Sequence, residues 1–315
     1  MSQFHFQAIG TTWKIDIYKE LDEYQESKLF AAIKNRVERF ENHYSRFRED
    51  SIITQISLSS ETPDGEMTGL ISSEERTQPG LDKNNRTRIF LLPDDAEKML
   101  LLYYELYKRT NGFFTPLVGG LLSDTWYDSH YSLHAKKELI MPPRWEDVLE
   151  YHHPQLLVKR PVLLDFGAAW KGYIIDLVGE LLEASDIKNY CINAGGDILY
   201  KNIESIRIGL ENPKNPDQVI GVCTLKWGSI CGSAGNRRSW GEFNHIMNPK
   251  TLTSPTDIIA IWVVAESALL ADALTTCLFF VPASILSDYY AFEYVLIRDD
   301  FSIEKTSNFP GEFFL

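Results

Sequence analysis

Trp13, Ile15 and Ile17 alternate with polar neighbours after Gly10-Thr11-Thr12, and that period of two predicts an opening strand with one buried face over residues 7 to 18. The period then lengthens. Leu29, Ile33, Val37 and Phe40 share a helical stripe, so a helix follows. It gives way to Tyr44-Ser45-Arg46-Phe47-Arg48-Glu49-Asp50-Ser51, which reads as a helix-ending loop with Phe47 tucked into the core. From about 57 to 88 Ser, Thr, Glu, Gly and Pro prevail and large apolar residues nearly vanish, the composition of a polar, mobile excursion. Arg88 to Leu92 reads as a short strand. Asp94 to Thr110 reads as a helix capped by Asp94 or Asp95 and ended near Asn111-Gly112, which Phe113-Phe114-Thr115-Pro116 then leaves. Residues 123 to 160 show little periodicity and support no assignment.

The second half is more regular. Asp165 to Asp176, Asp-Phe-Gly-Ala-Ala-Trp-Lys-Gly-Tyr-Ile-Ile-Asp, sets a strand end, a glycine turn, a lysine and a helix start in succession. Ile174, Leu177, Val178, Leu181 and Leu182 recur at helical intervals and leave Asp176, Glu180 and Glu183 on other faces. Tyr190 to Asn193 predicts a strand, Ala194-Gly195-Gly196-Asp197 a tight turn into another, and Arg207 to Leu210 and Val219 to Trp227 further extended chain. The most apolar stretch, Ile258 to Val281, contains Glu266 and Asp272; charges at bilayer depth are costly, so it reads as a buried strand and helix, with no transmembrane segment.

A formal charge of -13 argues against nonspecific nucleic-acid binding, because a phosphate-tracking surface needs a basic excess. Any polyanionic ligand needs local help from a lysine, helix ends or a metal. Cys191, Cys223, Cys231 and Cys277 form no CxxC pair and read as buried free thiols of a reducing compartment. The first residues, Met-Ser-Gln-Phe-His-Phe, carry no export signal and no lipid-accepting cysteine, so the expected location is cytoplasmic.

Three segments carry candidate chemistry. Lys171 falls at a helix N-terminus, where unpaired amides and the helix dipole attract anions, and Gly167 and Gly172 let a ligand approach the backbone; the plain alternative is a connecting turn. Asp272 and Thr276 lie four apart, so a helix presents both oxygens on one face, a pair suited to Mg2+. The alternative is a local cap with Thr276 bonding back to the helix. His245, beside Asn248-Pro249, can accept a proton near neutral pH or simply hold structure. Ser233 to Arg238 offers two guanidinium groups that either pair with phosphate or stay solvated. Gly195-Gly196 is no dinucleotide fingerprint, since GxGxxG is absent.

In order, these pieces resemble the FAD:protein FMN transferase (ApbE) family. The likeness runs through Gly10-Thr11, Phe47 with Ser51, Gly112 to Phe114, the DxGAxxKGYxxD pattern of Asp165 to Asp176, Asn193 to Asp197, Ser233 to Arg238, His245 to Thr251 and the ADAxxT pattern of Ala271 to Thr276. It implies one α+β domain over 1–315 with T-fold-like mixed sheets, helices, and a flavin cleft between two lobes. It implies FAD as substrate with Mg2+ at the pyrophosphate, held by Asp272, Thr276 and the backbone carbonyl of Ala168. Phe47, Phe113, Phe114, Thr115, Asp165, Lys171, Gly195, Gly196, Ser233 and Arg238 are implied as flavin-nucleotide contacts. The implied reaction moves FMN onto a threonine hydroxyl of a partner flavoprotein and releases AMP, with His245, Asp272 and Lys171 as catalytic candidates. A flavin-holding module without chemistry, and an FAD pyrophosphatase giving FMN and AMP, are the alternatives.

Four positions depart from the family. It commonly has Asp at Thr115 and Asn248, Gly at Leu252 and an aromatic near Asn236. The lost acids put nucleotide or metal contacts in question, and Leu252 opposes an easy left-handed turn. Neither the acceptor nor the oligomeric state is legible.

Overall fold

The computed structural model describes residues 1–58, 80–81, 87–125 and 138–314. Most of the excursion expected at 57–88 lies outside the described residues, as do 126–137. Along the chain the elements are β1 (Ser2–Ala8), β2 (Thr11–Ile17), α1 (Glu23–Tyr44), α2 (Ile52–Leu58), β3 (Gly80–Leu81), β4 (Arg88–Leu91), α3 (Ala96–Arg109) and, after a 3-10 turn at Pro116–Val118, α4 (Gly119–Asp124). Then come α5 (Trp145–Val148), β5 (Leu149–His152), β6 (Gln155–Val158), α6 (Trp170–Ala184), β7 (Tyr190–Ala194), β8 (Asp197–Asn212) and β9 (Asn215–Ala234). The last are β10 (Ser239–Trp240), β11 (Phe243–Asn244), β12 (Ile258–Ala265), α7 (Ala268–Cys277), α8 (Ser284–Ser287), β13 (Phe292–Arg298), β14 (Ile303–Lys305) and β15 (Gly311–Phe313). The fold is α+β with mixed helices and antiparallel sheets, as expected.

The residues group into two compact units. Unit 1 comprises 1–39, 167–246 and 255–315. Its sheet runs β1-β2-β7-β8-β9-β12-β13-β14, with β15 also beside β9, and every pairing is antiparallel. The opening strand is in fact a hairpin, since Ile9 and Gly10 both take positive φ (47° and 71°), the twist that suits a two-residue turn between antiparallel strands. The predicted alternation holds inside it: Trp13, Ile15 and Ile17 are fully buried and face Ala194, Ile192 and Tyr190 of β7. α6 packs against β7 and β8, while α7 packs against β9 and β12. Each fully buried Ile or Val of these faces contributes about 1.5–3 kcal/mol of apolar transfer.

Unit 2 comprises 40–166 and 247–254. A four-stranded sheet, β3-β4-β6-β5, accompanies helices α2 to α5. Its aromatic centre is Tyr103, stacked on Phe114 at 4.7 Å and edge-on to Phe166 at 5.1 Å.

Several expectations change. Residues 52–58 form a helix with Ile52, Ile53 and Ile56 buried, which three isoleucines beside a polar stretch did not announce. Asp165 ends no strand: residues 161–166 are irregular, and the Asp165 N–H donates to the Pro116 carbonyl at 2.7 Å. Neither Asp94 nor Asp95 caps α3 through its side chain, because Asp95 accepts from the Tyr44 hydroxyl instead. In the loop after α1 it is Arg46 that is buried, while Phe47 stays half-buried beneath its guanidinium, 4.3 Å from the ring centre. The stretch 258–281 is the expected strand and helix, and no helix among the described residues is long and apolar enough to cross a membrane.

Candidate functional site

The chemistry of unit 1 concentrates where the starts of α6 and α7 meet. Lys171 lies in the first turn of α6, as the sequence predicts, and its ammonium pairs with Asp197, the first residue of β8. The Asp197 Oδ1 also accepts from the Gly232 amide of β9 at 3.1 Å. Asp272 and Thr276 do share a face of α7. Asp272 is nearly sealed, at 3% exposure, and its Oδ2 accepts from the Gly172 amide at 2.9 Å. No hydrogen bond reaches its Oδ1 from the described residues. Close packing requires glycine at 172: a Cβ there would lie 2.0 Å from the Ala268 carbonyl oxygen.

The bond back to the helix comes from Thr275, not Thr276: its Oγ1 donates to the Asp272 carbonyl at 2.7 Å and meets Ser233 Oγ at 2.8 Å. Thr276 is half-buried. Asp176, read as lying off the apolar stripe of α6, is buried and turned to α7, where it accepts from the Ala268 and Leu269 amides at 2.8 and 2.9 Å. Asp is mostly exposed unless paired, so its place between Ile174-Ile175 and Leu177-Val178 gave no sign of the α7 amides that bury it.

These charges are unequal in number. Burial raises the Asp272 carboxyl above the ordinary carboxylate range; Lys171 opposes that shift, and Asp197 and Asp176 add to it. Burial also pulls the Lys171 ammonium down, but Asp197 and Asp272 outweigh it and hold the group above its usual value. Three carboxyl groups share this nearly dry corner with one ammonium, and the surroundings disfavour a full charge on Asp272 as it stands. An oxygen-rich set of this kind fits a hard divalent cation that keeps waters and takes substrate phosphates. Among the described residues no three His, Cys, Asp or Glu side chains converge as a metal cluster, so such a cation would draw on few side chains.

Gly195 and Gly196 form the β7–β8 turn with φ of 65° and 99°. Arg237 donates to the Gly195 carbonyl at 3.0 Å and pairs with Glu211, while Arg238 is exposed. His245 follows the β10–β11 hairpin, half-buried, with Nδ1 3.4 Å from the Arg238 carbonyl. A carbonyl only accepts, so Nδ1 is the donor in that contact. Ala168 lies in the turn just before α6, half-buried.

In unit 2, Arg46 pairs with Asp165. Phe113 is half-buried with the Lys250 ammonium 4.2 Å from its ring centre, and Phe114 is buried against Tyr103.

The sequence profile of the ApbE family matches residues 9–291. The chain belongs to the ApbE family. A Rhodobacter capsulatus protein named FAD:protein FMN transferase is 26% identical over an alignment of 195 residues that covers 58% of this chain and 37% of that protein. A Buchnera aphidicola protein of the same name is 21% identical over 292 residues, 85% of this chain and 77% of its own. Among solved structures, the ApbE protein of Thermotoga maritima superimposes with a TM-score of 0.74 at 20% identity, covering 98% of this chain and 97% of the other. The flavin transferase ApbE of Vibrio cholerae gives 0.73 at 18% identity, covering 98% of each.

In this ApbE chain the departures keep their backbone work. Thr115 Oγ1 accepts from the Leu117 amide at 3.2 Å, and Asn248 Oδ1 accepts from the Lys250 and Thr251 amides at 2.9 and 3.2 Å, bonds an acid's oxygen makes equally well. Leu252 overturns expectation: it takes the left-handed turn, with φ of 61°, its amide donating to the Asn248 carbonyl at 2.9 Å. That conformation costs a non-glycine residue about 1–2 kcal/mol, which the Asn248-centred bonds offset.

Proposed function

We propose that this chain is a FAD:protein FMN transferase, moving FMN from FAD onto a threonine hydroxyl of a partner flavoprotein and releasing AMP. Family membership supplies the reaction class. The observation that carries the reading is the cluster of buried carboxyl groups where α6 meets α7, with Lys171 and an unbonded Asp272 oxygen in it. Asp272, Thr276 and the Ala168 carbonyl would hold Mg2+. Bound there, the ion would neutralise the diphosphate and draw charge from the breaking phosphoanhydride.

The chain's own groups do the rest. Lys171, kept charged by Asp197 and Asp272, pairs with a diphosphate oxygen and stabilises charge on departing AMP. The threonine oxygen forms a bond to the FMN-side phosphorus as the bond to AMP breaks, and the hydroxyl proton passes to His245 Nε2. Phe47, Phe113, Phe114, Thr115, Asp165, Gly195, Gly196, Ser233 and Arg238 keep the flavin-nucleotide roles given by their motif positions. The four free cysteines, all buried, support a cytoplasmic setting.

Incubation with FAD, Mg2+ and a candidate flavoprotein tests the reading by the appearance of covalent flavin on the acceptor. Free FMN and AMP without labelled acceptor would replace transfer by hydrolysis, and unchanged bound FAD would leave a binding module. Asp272→Ala should abolish metal-dependent turnover. His245→Ala should abolish transfer while FAD still binds; retained transfer removes His245 from the mechanism.

A further inference from the structure

We infer that Asp176 is the positioning residue of the proposed cation site, fixing the start of α7 so that Asp272 and Thr276 point their oxygens correctly. The inference rests on the reading above that these two hold a divalent cation. Asp176 reaches from α6 and spends both oxygens on α7, taking the Ala268 and Leu269 amides at 2.8 and 2.9 Å. Asp272 lies one turn beyond Ala268 and returns the contact, its Oδ2 taking the Gly172 amide at the start of α6. Each helix therefore caps the other with an acid. Gly172, with no room for a Cβ against Ala268, holds the crossing at one spacing. The exchange occupies one Asp272 oxygen and leaves the other to a ligand.

Stability alone calls for an acceptor at the start of α7 but not for a charged one. Ser267 Oγ caps only the Leu270 amide, at 3.2 Å, so the Ala268 and Leu269 amides need another acceptor, but a neutral oxygen would serve them. Burying a further carboxylate near Asp272 adds repulsion that a serine or asparagine would avoid. The charge is compensated when a cation joins the group, and supporting groups of this kind typically govern affinity through the ligands they orient.

Mn2+, titrated into the full chain with free ion read by electron paramagnetic resonance, tests this without relying on turnover. Asp176→Asn, nearly isosteric, should bind Mn2+ about 10- to 100-fold more weakly than wild type. Ser267→Ala removes a cap from the same helix and should stay within about twofold. Unchanged affinity in folded Asp176→Asn overturns the inference and leaves the cation site standing, and so does equal weakening in Ser267→Ala, which would make the effect one of helix stability. Should Asp176→Asn not fold, Asp176→Glu keeps the charge but displaces it by a methylene, and wild-type affinity there overturns the inference in the same way. If wild type itself takes up no Mn2+, with or without FAD, the cation reading fails and this inference with it.

Discussion

Each unit encloses an ion pair, and the two are built in opposite senses. In unit 1 the acid is hidden, the Asp197 side chain being 2% exposed and that of Lys171 24%. In unit 2 the cation is hidden, Arg46 at 3% against 11% for Asp165. The hidden member is the one tied to its surroundings: Asp197 holds the Gly232 amide, and Arg46 lies over Phe47. An ion pair in a candidate site is thus better described by which partner the scaffold grips than by its length. In unit 1 the more exposed partner is the cation, and in unit 2 it is the acid.

This contrast predicts a crossed pattern of stability. Lys171→Ala strands the buried Asp197 and should cost about 3–5 kcal/mol, more than Asp197→Ala. In unit 2 the order reverses, so Asp165→Ala, which strands Arg46, should cost more than Arg46→Ala. Urea unfolding of the four variants decides it, and equal costs within each pair would erase the contrast.

The glycines sharpen it further. Gly172→Ala in unit 1 should cost about 3 kcal/mol, because the new methyl meets backbone, whereas Gly120→Ala in unit 2 has open space around it and should stabilise by about 0.5–1 kcal/mol. Thermal unfolding measures both. Asn248→Ala deprives two amides of their acceptor in unit 2 and should cost about 1–2 kcal/mol by urea unfolding, releasing the turn that keeps Leu252 left-handed.

The smallest effect is tied to pH. The Tyr190 phenol is pushed far above its ordinary value, first by burial and then by its hydrogen bond to Glu183. A raised folded value means that its stabilisation is whole below the unfolded value of about 10 and is lost as pH climbs past it. Tyr190→Phe should cost about 1 kcal/mol at neutral pH and should flatten the alkaline loss of stability seen in wild type above about pH 10. Urea midpoints across that range check the sign.

The sequence showed those features whose cause is local. The period of Trp13, Ile15 and Ile17, the stripe of α1, Lys171 at a helix start and the Asp272–Thr276 spacing each follow from neighbours a few residues away. What it did not show depends on distant partners. Arg46 is buried because Asp165, 119 positions on, receives it. Asp176 turns inward because α7 supplies two amides 92 and 93 residues later, and a helix buried on most sides gives no clean stripe to mark an inward acid. Leu252 is left-handed because Asn248 organises the bend, a balance no single-residue preference reports.

The order of the segments has a consequence for inheritance. Unit 1 is drawn from three stretches of chain and unit 2 from two, interleaved. A gene fragment stopping at Phe166 would encode β2 without β7, leaving a bare ladder of amides and carbonyls where its neighbour belongs. Recombination therefore has no breakpoint that delivers one unit whole.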